Sequence, residues 1–174
     1  LFMVIGDPDP DADTEGDKPK TAKPIVIDRY KFKQDREGYL RGNLKSYVYL
    51  FDIAAKKTDR LTKGKFNESS PVWSPDGSKI AFTSNHQKDP DRDPTFQIFV
   101  ADSVANSVEK QVTPNTSRGG RGGHEWSPDG KIIAFVEAEE IQFDAYNMDH
   151  LTLVASDGSS APTRFKPTED LDRG

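Results

Sequence analysis

A ten-residue pattern occurs twice in the chain, and this repeat limits the possible folds more than any other feature. Residues 73–82 read WSPDGSKIAF and residues 126–135 read WSPDGKIIAF. The second copy follows the first by 53 residues, which is the separation between Ser74 and Ser127. A repeat of this length indicates an array of similar supersecondary units, each of which buries its apolar surface only against its neighbours.

Each copy of the pattern predicts a hairpin that leads into a buried strand. SPDG suits a tight turn because proline presets the second position and glycine accepts a left-handed conformation. The segments after the turn, KIAFTS at 79–84 and KIIAFVE at 131–137, are apolar at nearly every position. This is expected of a strand that is covered on both faces. Further strands are predicted at 96–102 and 109–114 in the first unit, and at 150–157 and 161–165 in the second.

The predicted fold class is all-β, a partial β-propeller of about three four-stranded antiparallel blades, the first of them incomplete. Residues 67–116 and 117–166 form the two complete blades, and residues 167–174 form a tail or the start of a next blade. The repeat places Trp73 and Trp126 in equivalent buried positions. A solenoid is the main alternative, but its strands would be spaced more closely and more uniformly.

Residues 1–66 supply the incomplete first blade. Residues 1–7 (LFMVIGD) serve as its second strand, and residues 46–64 contain its third and fourth strands. Between them, the Pro-rich charged segment at about 7–24 is interpreted as a flexible insertion. Residues 25–42 resume a β pattern with a polar turn, which predicts a protruding hairpin.

The composition fits many short strands and argues against several classes of protein. Only 33% of the residues are hydrophobic and 30% are charged, which is lean for a compact helical domain. The net charge of −5 argues against a nucleic-acid partner, because phosphate binding normally needs a basic face. The chain has no cysteine, hence no disulfide framework and no thiolate metal site. The apolar start LFMVI is too short for a signal sequence or a membrane span.

The composition does not distinguish a periplasmic from a cytoplasmic location. Because the chain begins with Leu1 rather than methionine, we expect it to be a piece of a longer protein.

Longer stretches of the sequence resemble known propeller families. ESSPVWSPDGSKIAFTSN is similar to the TolB-like, WD40-like propeller repeat. The combination of PIVIDRYKF, LTKGKFNESSPVWSPDG and GGHEWSPDGKIIAFV resembles the N-terminal propeller of prolyl-oligopeptidase-family serine peptidases, in the acylaminoacyl-peptidase or dipeptidyl-aminopeptidase-like branch. This resemblance implies a propeller that gates and positions short peptides for an α/β-hydrolase domain of the same parent chain.

The resemblance transfers no catalytic residue, because the Gly-x-Ser-x-Gly nucleophile elbow of those enzymes is absent from the chain. We therefore expect that the chain itself hydrolyses nothing, and that it needs no cofactor and no metal. Related aminopeptidases hold the free amino group of the substrate with propeller glutamates, and the resemblance implies this role for Glu137, Glu139 and Glu140. The ordinary alternative is a solvated acidic loop.

Other polar residues are weaker candidates for a site. His124 lies just before an inner strand, where packing or hydrogen bonding is expected rather than catalysis. The alternating aspartates of DPDRDP at 89–94 begin like a calcium loop, but Pro94 and Val100 stand where that loop needs Gly and Glu. RGGRGG at 118–123 suits a crossing between blades better than RNA binding, because glycine permits close approach.

Two further functions remain open: a TolB-like protein-interaction scaffold, and the propeller of a carbohydrate-active lyase or amidohydrolase. A Gly-x-Ser-x-Gly elbow downstream in the parent reading frame would single out the peptidase. Cutting a ring of blades exposes two apolar sheet faces, so we also expect the chain to self-associate. Neither a nucleic acid nor a membrane is expected as a partner.

Overall fold

The chain forms a series of antiparallel sheets in a computed structural model that describes residues 2–8, 27, 29–30, 33–35, 38–39, 44–93, 95–116, 119–138 and 149–165. The strands are β1 (Phe2–Pro8), β2 (Lys33–Gln34), β3 (Gly38–Tyr39), β4 (Leu44–Asp52), β5 (Lys57–Arg60), β6 (Glu68–Trp73), β7 (Lys79–Ser84), β8 (Gln97–Asp102), β9 (Lys110–Gln111), β10 (Gly119–Trp126), β11 (Ile132–Ala138), β12 (Asp149–Ala155) and β13 (Thr163–Arg164). No helix occurs in these ranges. The part of the chain that the structure describes thus holds no helix able to cross a membrane.

Three sheets follow one another as units of the same design. Blade 1 has the strand order β1-β4-β5, blade 2 the order β6-β7-β8-β9, and blade 3 the order β10-β11-β12-β13. All neighbouring strands are antiparallel. The predicted all-β fold class, with successive four-stranded antiparallel sheets of a partial propeller, is confirmed.

The two WSPDG turns are built by the same bonds. Gly77 and Gly130 both have a φ of 71°, and their amides donate to the carbonyls of Ser74 and Ser127 over 2.9 Å. Each serine hydroxyl donates to the turn aspartate and accepts the amide that begins the next strand. Hydrogen bonds from the Ser74 hydroxyl and from the Ser78 amide and hydroxyl lower the pKa of Asp76 to about 2. The motif therefore stabilises a local turn, and its serine and aspartate side chains form hydrogen bonds within that turn.

Two apolar clusters hold the blades together. The first seam, between blades 1 and 2, buries Val48, Leu61, Ile80, Phe82, Phe99 and Ala101, with Leu50 and Trp73 packed against them. The second seam, between blades 2 and 3, buries Ala81, Ile98, Val100, Val112, Ile133, Phe135 and Val154, with Trp126 packed against them. Because side chains alternate along a strand, blade 2 supplies one face to each seam.

The two central strands differ in how they are covered. All residues of β7 after Lys79 are buried, as predicted for a strand covered on both faces. In β11 only Ile133 and Phe135 are buried, so the expectation of two covered faces is wrong for this strand. The reason is that blade 2 lies between two sheets, whereas in the described part of the chain only one sheet packs on blade 3.

Trp73 and Trp126 occupy equivalent positions, but they are partly buried rather than fully buried as predicted. Both lie on the terminal strand of their sheet, β6 or β10, whose outer edge pairs with no further described strand. Trp126 bridges the second seam, since its Nε1 donates to the Val72 carbonyl over 3.2 Å.

The first unit carries the predicted extra segment between its second and third strands. Of the proposed insertion at 7–24, Asp7 and Pro8 belong to β1, and the remainder lies outside the described residues. In the region of the proposed hairpin, β2 pairs with β3. The proposed tail at 167–174 also lies outside the described residues.

Candidate functional site

Each blade has two distinct ends, and the candidate residues divide between them. The turn end carries the WSPDG turns and the connections between third and fourth strands. The loop end carries the connections between second and third strands and the crossings from one blade to the next. This division follows from antiparallel pairing within every blade.

Of the three glutamates proposed for amine binding, the structure describes only Glu137. It lies near the loop end of β11, opposite His150, and is half-buried. Its Oε2 accepts a hydrogen bond from Thr152 Oγ1 at 3.2 Å. Glu139 and Glu140 lie outside the described residues, so the joint amine-binding role of the three carboxylates stays a prediction.

The aspartates of the 89–94 loop bond mainly to nearby backbone and hydroxyl groups. The Asp89 carbonyl accepts the amide of Asp93 at 2.9 Å, and Asp93 Oδ1 accepts the hydroxyl of Thr95 at 2.7 Å. Asp91 accepts the amide of Tyr30, which joins the loop to the segment before β2. Within the described ranges, no three His, Cys, Asp or Glu side chains gather as a metal site.

Sequence reasoning missed a buried carboxyl group in the first seam. Glu68 begins β6 and is only 1% exposed. Its Oε2 accepts the Val48 amide at 2.9 Å, and its Oε1 accepts the Thr62 hydroxyl. Burial raises the pKa of Glu68, and the bonds from Thr62 and Val48 partly oppose this. The carboxyl group thus links the inner strand of blade 2 to the third strand of blade 1 and to the crossing that follows blade 1.

A second carboxyl lies beside this crossing. Burial raises the pKa of Glu109, while the charge of Arg60 acts in the opposite direction. The Arg60 guanidinium lies 3.4 Å from the ring centroid of Tyr47 and donates to the Gly64 carbonyl. A Cβ on Gly64 would come within 2.9 Å of Glu109 Oε1, so glycine at this position leaves room for the carboxyl.

Neither His86 nor His124 forms a catalytic arrangement with a described hydroxyl. His86 stacks between two aromatic rings, with centroid distances of 3.8 Å to Phe66 and 4.1 Å to Phe99. Burial lowers its pKa. His124 is buried in the second seam, and neither ring nitrogen has a hydrogen-bond partner among the described residues. A serine-type site requires a nucleophile bonded to such a base, and the described residues contain none at His86 or His124.

Arg118 of the RGGRGG segment lies outside the described residues, while residues 119–123 begin β10. A register shift interrupts the pairing of β10 with β11 between Gly119 and His124. Gly123, with a φ of 90°, lies directly before His124. The glycines therefore shape the strand that leads into the second seam.

The family profile of the TolB beta propeller domain matches residues 39–165, well over half of the chain. The comparison with curated protein sequences found no significant match. Among solved structures, the Agrobacterium tumefaciens protein assigned as TolB is 25% identical, with a TM-score of 0.50. The match covers 70% of this chain and 40% of that one.

TolB from Acinetobacter baumannii is 22% identical, with a TM-score of 0.45 over 72% of this chain and 28% of that one. The chain therefore spans less than half the length of either solved structure.

Proposed function

Because the chain belongs to the family of TolB β-propeller domains, we propose that it is a non-catalytic scaffold that binds a partner protein at the turn end of its blades. The observation that carries this proposal is a set of exposed apolar side chains on the third-to-fourth strand connections. Ile53 is 71% exposed in blade 1, and Val104 and Val108 are 58% and 86% exposed in blade 2. We call these three residues the turn-end patch. Exposed apolar groups on successive blades favour contact with another protein surface.

Photo-crosslinking tests the scaffold proposal. A photoreactive amino acid at Val108 should give a discrete adduct with a partner protein in an extract of the source organism, and Val104→Asp should abolish it. The matched control is the same photoreactive residue at Ser160, an exposed polar position on the corresponding connection of blade 3. Equal adducts at both positions, or no adduct at Val108, would contradict binding at the turn-end patch.

A second candidate is the gating propeller of a serine peptidase. It rests on the sequence resemblance, and the half-buried Glu137 near the loop end is the only proposed amine-binding residue with a described position. One of its oxygens is engaged by Thr152, so an amine would have to share or displace that bond. A nucleophile elbow downstream in the parent reading frame would favour this candidate over the scaffold. No described contact favours the carbohydrate-active lyase or amidohydrolase.

The outer face of blade 3 supports the proposal that the chain pairs with a second copy of itself. Its side chains Ala134, Val136, Leu151, Leu153 and Phe165 correspond, 53 residues later, to Ala81, Thr83, Ile98, Val100 and Val112 of blade 2. The blade 2 set is buried, whereas none of the blade 3 set is. Within this chain, the corresponding face of blade 2 is covered by blade 3, which presents Ile133, Phe135 and Val154 to it. A second copy carries sheets of the same kind, and burying this face would remove apolar area from water.

Light scattering after size exclusion tests the pairing. We expect the mass of the chain to rise with concentration, and Leu153→Asp to weaken association at least about tenfold, because a buried carboxylate opposes contact. Ser160→Asp adds the same charge away from the face and should leave association unchanged. A monomeric mass at every concentration would rule out the second copy as the occupant of this face.

A further inference from the structure

The second seam contains one titratable side chain for which the first seam has no equivalent. His124 lies opposite Phe135 in the pairing of β10 with β11, and it is only 3% exposed. Counted back by 53 residues, its equivalent in blade 2 is Pro71, which carries no ionisable group. His124 shares its face of β10 with Trp126, which donates across the seam to the Val72 carbonyl. Protonation of this ring would therefore place a charge inside the contact between blades 2 and 3.

The surroundings of His124 compensate a positive charge only in part. Neither Nδ1 nor Nε2 has a hydrogen-bond partner among the described residues. Burial lowers the pKa of His124 below its ordinary value of 6.5, while smaller contributions from the Ala81 backbone and the charge of Glu125 act in the opposite direction. Glu125 is exposed to solvent, where its charge is screened. A neutral imidazole is tolerated in this position at lower cost than an imidazolium.

The charged groups on the neighbouring elements are engaged or distant. On β6, the carboxyl of Glu68 is bonded to blade 1. At the turn end, Lys79 of β7 and Asp102 of β8 pair with each other at 2.5 Å. On β11, Glu137 lies two positions beyond Phe135 and accepts the Thr152 hydroxyl.

We propose that His124 makes the second seam acid-labile, so that mild acid separates blade 3 from blade 2 while blades 1 and 2 stay joined. A histidine with a lowered pKa in the folded state binds fewer protons there than in the unfolded chain. The seam therefore loses stability as the pH falls through 6.5 towards the folded-state pKa. Opening the second seam would expose the apolar face of blade 2 that Phe135 now covers, which gives a scaffold a second, pH-dependent surface.

The first seam provides an internal control for this proposal. His86 also has a lowered pKa, but it is half-buried between the rings of Phe66 and Phe99. A protonated imidazole keeps access to solvent there and is attracted to aromatic faces. Acid should consequently affect the first seam much less than the second.

Hydrogen exchange with peptide-resolved mass spectrometry tests the proposal on the full chain. After correction for intrinsic exchange, peptides from β10 to β12 should open several-fold more at pH 5.5 than at pH 7.5. The limit is about tenfold, which an imidazole with the ordinary pKa of 6.5 in the open state sets at pH 5.5. Peptides from β6 to β8 should change less. His124→Leu should remove the extra opening in blade 3, whereas the control His86→Leu should retain it.

Two results would overturn the acid-labile seam: an equal response of both blades, or an unchanged response in His124→Leu. If that variant does not fold, an NMR titration of the wild-type imidazoles decides the question. His124 must then titrate below 6.5, and titration at or above that value would refute the proposal. The proposal does not depend on a partner protein, so its failure would leave the scaffold proposal standing.

Discussion

Phe135→Ala should lower the free energy of unfolding by about 3–5 kcal/mol, one of the largest effects expected of any single substitution in the chain. Phe135 is 1% exposed and lies in the second seam. Truncation removes its apolar contacts and leaves a cavity that two sheets cannot easily close. Because native domains are stable by only about 5–15 kcal/mol, the loss should be visible directly as a lower urea midpoint.

The equivalent change in the first seam, Phe82→Ala, should cost at least as much. Phe82 is fully buried and stacks on Phe99 at a centroid distance of 5.9 Å, whereas the residue equivalent to Phe99 in blade 3 is Thr152. The Phe82–Phe99 pair adds about 0.5–1.5 kcal/mol to the stability lost in Phe82→Ala, because Thr152 cannot form an aromatic pair with Phe135.

Tryptophan fluorescence can follow both seams, since Trp73 packs on the first and Trp126 on the second. Val108→Ala, at an exposed position, should change stability by less than about 0.5 kcal/mol. A loss below about 1 kcal/mol for Phe135→Ala would mean that blade 3 is not packed on blade 2 as the structure shows.

The repeat could be predicted from the sequence because its chemistry is local. SPDG forms the same turn in both blades, with glycine at the same positive φ and the serine and aspartate side chains bonded to each other. Two positions with the same neighbours in sequence meet the same short-range forces, so the pattern predicts their conformation reliably. The central strand of blade 2 could also be predicted, because its apolar run requires cover on both faces.

The parts that sequence reasoning missed depend on distant neighbours. KIIAFVE has the same apolar character as KIAFTS, yet only one face of β11 is covered, because cover depends on another sheet. Glu68 looks like a solvated residue before a strand, but its partners Val48 and Thr62 belong to blade 1 and to the crossing. For His124 the sequence predicts packing or hydrogen bonding without distinguishing the two, because its neighbours come from blade 2. The amine-binding role of Glu137, Glu139 and Glu140 stays a prediction.

Glu68→Ala should destabilise the first seam by about 2–4 kcal/mol. The carboxyl group accepts the Val48 amide and the Thr62 hydroxyl, and truncation would leave two buried donors without an acceptor. Each unsatisfied buried donor costs about 1–3 kcal/mol. Part of this cost is offset because the variant no longer has to bury a charge. Urea unfolding followed through Trp73, which packs on the same seam, measures the loss.

Glu68→Gln is the matched variant, because it resembles the protonated carboxyl. The amide oxygen can accept the Val48 amide, and the amide nitrogen can donate to the Thr62 hydroxyl, so both bonds survive. Since the folded-state pKa of Glu68 is raised above 4.5, its favourable contribution is complete below pH 4.5 and is lost as the pH rises through the folded value. The wild type should therefore be more stable relative to Glu68→Gln at pH 4 than at pH 7. Equal stability of Glu68→Ala and the wild type at both pH values would show that this carboxyl does not join the blades.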